Sequence, residues 1–366
     1  MGYRFESCAA HQTPPGATPG PFYHGGVDLP KTPLDLLSLD LPQGEPWGYA
    51  LAQGLLKAPW AWRALRPTPG VLGLMRQDLE AHFLELERLR REYPLGSLGD
   101  RPPSPPEEGA LEALLKRDPE AMVRVLKAHG PWPYALYRAF RFDGEVRPLP
   151  HPRLPREDGL VGYEDQLRAL RENARRFLEG KPALHTLLYG ARGTGKSTAA
   201  KSLLHLGEAR MVEVEPKALT HLEGLLETLD LLPHRFFLFL DDLSLDPEGE
   251  AFHHLKALLE GSLEGPPENV LLLATSNRRH LVRRQGENPL PGADPTSWDE
   301  LQDTLALAER FGLVLTFPPF DQALYLKAVA HHLGRPLTEE EKKEALRFAL
   351  NRGFSGRVAR QFALSR

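Results

Sequence analysis

From residue 159 onward, short apolar runs alternate with longer stretches in which apolar residues return every three or four positions. The runs are Thr186–Tyr189, Arg210–Val214, Phe236–Leu240, Val270–Thr275 and Leu313–Phe317. A continuous apolar run fits a strand buried on both faces, and the periodic stretches fit the helices that cover it. The expected class is α/β, with a parallel five-stranded sheet between helices over 159–318. Beyond it, 321–333, 338–351 and 355–364 predict a helical lid spanning 319–366. Thr338-Glu339-Glu340-Glu341 reads as a capping box for the second of these helices. Gly353 and Gly356 flank the start of the last one, as a hinge would.

The first 158 residues have a different texture, and 21 of the 35 prolines precede residue 152. Residues 1–45 are rich in Pro and Gly with little periodicity, which predicts an extended segment. The stretch 72–93 repeats apolar residues at helical spacing, and shorter helices are expected at 107–116 and 119–128, the latter with Pro in its first turn. RPPSPP at 101–106 reads as a stiff connector. Residues 46–142 are thus expected to form a mostly helical domain and 143–158 a linker. Trp60, Trp62, Trp132 and Tyr134 fit either a binding platform or, more commonly, ordinary packing.

Composition narrows the classes. Of 366 residues, 41% are apolar and 26% charged, the profile of a water-exposed globular chain of two or three domains. Lys plus Arg number 45 against 49 Asp plus Glu, a net charge of −4, which argues against a polybasic nucleic-acid coat or membrane binder. Cys8 is the only cysteine, so an intrachain disulfide and a Cys-based zinc site are excluded. No apolar run approaches the roughly 20 residues of a membrane span. The first residues lack a signal peptide's apolar core. A cytoplasmic location with no membrane partner is expected. The absence of isoleucine fits a GC-rich bacterial source.

The densest chemical signal is Gly190-Ala191-Arg192-Gly193-Thr194-Gly195-Lys196-Ser197, followed by Thr198. It has the spacing G-x-x-x-x-G-K-[ST] and lies between an apolar run and a helical stretch, where a phosphate-cradling loop belongs. The glycines let successive backbone N–H groups turn toward an anion, and the following helix adds its positive end. Lys196 is expected at the β- and γ-phosphates and the Ser197 hydroxyl on Mg²⁺. A second apolar run ends in Asp241-Asp242, 45 residues after Lys196. There Asp241 suits Mg²⁺ and Asp242 suits the polarising of an attacking water. A third ends in Asn277, suited to holding that water or the γ-phosphate, or else to forming a turn.

Taken together, GTGKS, FLDDLS, ATSNRRHL, ERFGL and GFSGRVARQF resemble an AAA+ ATPase module, and more narrowly a bacterial AAA+ family without assigned function. The resemblance covers about the last 205 residues. It implies a P-loop NTPase core, ATP and Mg²⁺ as ligands, and an adenine pocket lined by Val161 and Gly162. It further implies Arg357 as a lid arginine on the subunit's own nucleotide. Arg310 becomes a finger acting in trans, and hence a homo-oligomer that remodels a protein or nucleic-acid client. The usual second acid of such modules is Glu; here it is Asp242. Slow turnover, or a nucleotide-gated switch, is the alternative this leaves open.

Arg278, Arg279, His280, Arg283 and Arg284 form the module's densest basic cluster. Contact with a nucleic-acid backbone, contact with a neighbouring subunit, and a solvated helix end all fit it. The stretch 285–295 reads as a loop and Ser297–Glu300 as a capping box. His253 and His254 lack a partner pattern for a metal triad.

Overall fold

A computed structural model of the chain describes residues 36, 39–99, 101–243, 250–259, 266–277 and 310–366. The chain divides into two compact units: 1–138 with 231–234, and 139–230 with 235–366. The expectations for 1–35, the basic cluster at 278–284, the loop at 285–295 and the capping box at 297–300 lie outside the described residues.

The first unit is helical: α1 Pro46–Lys57, α2 Trp60–Arg63, α3 Pro69–Glu92, α4 Pro105–Lys116 and α5 Pro119–His129. Four of the five begin the same way, with a proline in the first turn behind a polar residue: Glu45, Thr68, Ser104 or Asp118. Proline fits there because the first-turn N–H has no helical partner to lose. Thr68 Oγ1 accepts from Val71 N–H at 3.3 Å, and Asp118 Oδ1 from Ala121 N–H at 3.0 Å. The helices bury Leu51, Leu55, Met75, Leu79, Leu114 and Leu126 in one core.

The aromatic quartet belongs to packing. Trp60 is buried, with Nε1 donating to Asp78, and Trp62 meets Tyr134 edge-on at 5.8 Å. The proline-rich connector also carries an anchor. Arg101 donates to both oxygens of the fully buried Glu107, at 2.7 and 2.8 Å. Ser104 N–H (2.9 Å), Ser104 Oγ (2.6 Å) and Gln53 Nε2 (2.8 Å) complete the shell. Burial opposes ionisation of Glu107, but these donors outweigh it and hold the carboxyl below its ordinary range.

The second unit carries the sheet, with β1 Ala139–Phe142, β2 Val146–Pro148, β3 Thr186–Gly190, β4 Arg210–Val214, β5 Phe236–Leu240, β6 Val270–Ser276 and β7 Leu313–Phe317. The helices are α6 Glu164–Leu178, α7 Lys196–Ser202, α8 Leu222–Asp230 and α9 Glu250–Leu259, then the lid, α10 Gln322–Leu333, α11 Glu339–Ala349 and α12 Gly356–Leu364. The strand order is β2-β1-β4-β5-β6-β3-β7. Every neighbouring pair is parallel except the β1–β2 hairpin.

The α/β class with a helical lid is as expected, but the sheet has seven strands rather than five. The two additions lie where a helical tail and a linker were expected. β1 alternates buried Phe140 and Phe142 with exposed Arg141, and Phe140 pairs with Val212 of β4. Four residues are too few for a period-two pattern to stand out, and the prolines beyond them obscure the rest. Pro148 closes β2 at the sheet edge, where its missing N–H leaves no ladder bond broken.

All side chains of β3, β5 and β6 are buried, which explains their unbroken apolar runs. One core runs from Phe237, Leu273 and Phe317 in the sheet to Tyr325, Ala359 and Phe362 in the lid. The parallel register brings the C-terminal ends of these three strands together, at Gly190, Leu240 and Ser276. Ligand crevices of open α/β sheets lie at such ends.

Candidate functional site

Three departures from ordinary backbone shape the loop after β3. Gly190, Gly193 and Gly195 all have positive φ, at 140°, 78° and 96°. At Gly190 the requirement is absolute, because a Cβ would fall 2.0 Å from the Phe317 carbonyl oxygen of β7. Gly195 is the left-handed cap from which α7 starts. Thr194 Oγ1 ties the loop to itself by donating to Ala191 O at 2.9 Å.

Lys196 lies in the first turn of α7 and is only 5% exposed. Its Nζ donates to Gly190 O and Ala191 O, both at 2.8 Å, and to Asn277 Oδ1 at 2.9 Å. Burial pushes this ammonium down to about 8, against the pull of Asp242 and Asp241 in the opposite direction. A buried cation whose partners are two carbonyls and an amide is held without a full counter-charge, the state of a site shaped for an anion.

The neighbouring hydroxyl reaches the acid pair. Ser197 Oγ donates to Asp241 Oδ1 at 2.6 Å. Thr275 Oγ1 of β6 donates to the same oxygen at 2.7 Å and accepts from Asp242 N–H at 2.8 Å. Thr275 O also accepts from Leu243 N–H at 2.7 Å. Asp242 sits in the left-handed region, φ 52°. Asp tolerates that region better than Glu, which gives a local reason for the shorter acid. Its carboxylate accepts from Asn277 Nδ2 and lies 3.8 Å from Arg192 of the loop. Arg192 is 82% exposed and Asp242 58%, so this ion pair is weak and easily exchanged.

Among the residues expected from sequence, the structure thus brings Gly190–Ser197, Asp241, Asp242 and Asn277 together. Thr198 follows in the helix. The lid closes on the same loop. Gly356 N–H donates to Gly193 O at 3.1 Å, and Ser355 stands where a Cβ on Gly193 would go. Arg357 is the next residue, exposed in the first turn of α12. The side chain of Leu324 in α10 covers Gly162 (φ 88°), and Val161 is buried beside it. Tyr163 anchors this approach segment, donating to Pro318 O at 2.7 Å and packing on Phe317 at 4.8 Å.

Arg310 is not brought to the loop. It is exposed, just ahead of buried Phe311 and the start of β7, whose Leu313 pairs with Thr186. The phosphate loop leaves the other end of β3, about four residues or about 13 Å further on. His254 is exposed on α9. Thr275 was not singled out in the sequence, although its place, two residues before Asn277 on a buried strand, is the signal that finds it.

The donor set at Ser197 and Asp241, an alcohol and a carboxylate without thiolate or imidazole, fits a hard divalent ion of the magnesium type.

A family model described as "Protein of unknown function (DUF815)" matches residues 134–365, more than half of the chain. No curated protein matches. Among solved structures, the Thermotoga maritima RuvB Holliday junction branch migration motor is 16% identical, with a TM-score of 0.38, over 57% of this chain and 63% of that one. A single-substitution variant of the same motor is 14% identical, with a TM-score of 0.38, over 57% of this chain and 64% of that one. The chain therefore spans less than two thirds of the length of these structures.

Proposed function

This chain belongs to the DUF815 family of proteins of unknown function, and from that starting point we propose that it binds ATP with Mg²⁺ and hydrolyses the β–γ anhydride. The observation that carries the reading is the meeting of Ser197 with Asp241 at 2.6 Å, beside a buried, undercompensated Lys196. A lysine with no task would be expected in water rather than bonded to loop carbonyls.

The backbone of 190–197 and Lys196 hold the phosphates. Ser197 and Asp241 hold the Mg²⁺, which neutralises charge on the β- and γ-oxygens when bound. Asp242 accepts the proton of a water that attacks the γ-phosphorus as the bond to the β-γ bridging oxygen breaks, leaving ADP and phosphate. Asn277 fixes the Asp242 carboxylate, and Arg357 reaches the subunit's own nucleotide from the lid. Arg310, at the far end of β7 from its own loop, acts on a neighbour's nucleotide, so the working form is a homo-oligomer. ATP binding and turnover remodel a protein or nucleic-acid client selected outside this module, in the cytoplasm.

One observation favours a second reading, a switch that binds ATP with negligible turnover. Asp242 is engaged by both Asn277 and Arg192, which occupy its carboxylate with partners other than an attacking water. Phosphate release by wild type, Lys196→Ala and Asp242→Asn separates the two. Hydrolysis requires turnover in wild type alone. The switch requires binding without turnover in wild type and Asp242→Asn. Unchanged binding and turnover in Lys196→Ala overturns both.

A further inference from the structure

Thr275 has no charge and almost no exposure, yet both acids of the site depend on it. It is 2% exposed, at the penultimate position of the fully buried β6. A hydroxyl has one proton and two lone pairs. Ionised Asp241 can only accept, so the proton of Thr275 points at Asp241 Oδ1, at 2.7 Å. A lone pair is then left for Asp242 N–H, at 2.8 Å. The polarity of both bonds is fixed by this chemistry. The carbonyl of the same residue takes Leu243 N–H at 2.7 Å. Thr275 therefore grips three successive residues, 241 to 243, through two of its oxygens.

Two consequences separate this grip from routine strand packing. Ser197 shares Asp241 Oδ1 from the helix side, where a lone pair of its own oxygen is left for a cation. Thr275 orients the carboxylate from the opposite side, from within the buried strand, with both lone pairs turned away from any cation that Ser197 meets. Oδ2 of Asp241 forms no hydrogen bond among the described residues, so Thr275 and Ser197 together set which oxygen is kept for the protein. In addition, the left-handed backbone of Asp242 (φ 52°) is a costly conformation that persists only when its surroundings hold it. The bond from its N–H to Thr275 is one such restraint.

Resting on the ATPase reading above, we propose that Thr275 is a positioning residue that couples the two acids. Through one hydroxyl it orients Asp241 toward the divalent ion and Asp242 toward the water. Partners of this kind behind a metal-holding carboxylate typically alter metal affinity about 10- to 100-fold when removed.

The test uses the full chain as wild type, Thr275→Val, Thr275→Ser and Lys196→Ala. Valine keeps the shape and strand preference but removes the hydroxyl, whereas serine keeps the hydroxyl and removes the methyl. Binding of a fluorescent ATP analogue is titrated with Mg²⁺, phosphate release is measured in parallel, and thermal unfolding reports folding. In Thr275→Val the Mg²⁺ midpoint for binding is expected to rise about tenfold or more. Metal-free nucleotide affinity should stay within about threefold, and turnover should fall at least as far as the midpoint shifts. Thr275→Ser is expected within about threefold of wild type on every measure.

A Thr275→Val protein with the wild-type Mg²⁺ midpoint overturns the proposal. So does Thr275→Ser failing as badly as Thr275→Val, which would assign the effect to the methyl group. If wild type binds without turnover, the Mg²⁺ midpoint of binding still decides. If wild type binds no nucleotide, like Lys196→Ala, the reading of the site falls and this proposal with it.

Discussion

Lys196 Nζ donates to Asn277 Oδ1 at 2.9 Å, joining the helix after the phosphate loop to the end of β6. Because burial holds this lysine at about 8, and a bound polyanion favours its charged form, binding takes up a proton at alkaline pH. Affinity for ATP is therefore expected to be flat below about pH 8. Above it, affinity should weaken by up to about tenfold per unit, as the ammonium of the free protein loses its charge before that of the complex does. Lys196→Arg, whose guanidinium stays charged, should remove the alkaline limb. A nucleotide titration from about pH 6.5 to about 9.5 reads both.

Arg310 and the phosphate loop lie at opposite ends of paired strands. Arg310→Ala should thus bind ATP normally while losing hydrolysis by about 10³-fold, the usual worth of such a finger. Mixing it with Asp242→Asn should restore turnover, since each variant supplies what the other lacks. No gain on mixing, measured by phosphate release across a range of ratios, removes the trans assignment.

Asp242→Glu restores the commoner acid yet is expected to lower turnover rather than raise it. The added methylene must be accommodated at φ 52°, between Asn277 and Arg192. Phosphate release above wild type would show that the backbone there does not select Asp.

In the helical unit, Glu107→Gln removes the charge that Arg101 meets with two hydrogen bonds and leaves a buried donor mismatch. Losing one partner of a buried pair costs about 3–5 kcal/mol. The Arg101 end is partly exposed, so about 2–4 kcal/mol is expected, read by denaturant unfolding of the whole chain. Since the native carboxyl sits below its ordinary range, this stabilisation is present above the unfolded value near about pH 4.3. It disappears as pH falls through the native value.

The loop, the two acids and Asn277 were legible in the sequence because each sits at the end of a strand buried on both faces, and such strands write themselves as unbroken apolar runs. The lid helices were legible from their caps: Asp321, Thr338 and Ser355 all accept the expected backbone N–H groups. The first two strands were not, since Phe140 and Phe142 give only two buried positions with Arg141 between them. Thr275 escaped because an apolar run ending in threonine looks like mere strand preference. Only the fold brings its hydroxyl to acids more than thirty residues earlier. The anchor at Arg101 was masked by the prolines around it, which suggested a spacer where the chain in fact returns to Asp40 and Glu107.

The bond from Gly356 N–H to Gly193 O ties the last helix to the glycine loop through their backbones. A movement of that helix away from the loop breaks this bond or draws the loop along with it. A displacement of residues 356–366 therefore reaches the glycine loop backbone to backbone, with the Ser355 side chain beside Gly193 as a second point of contact.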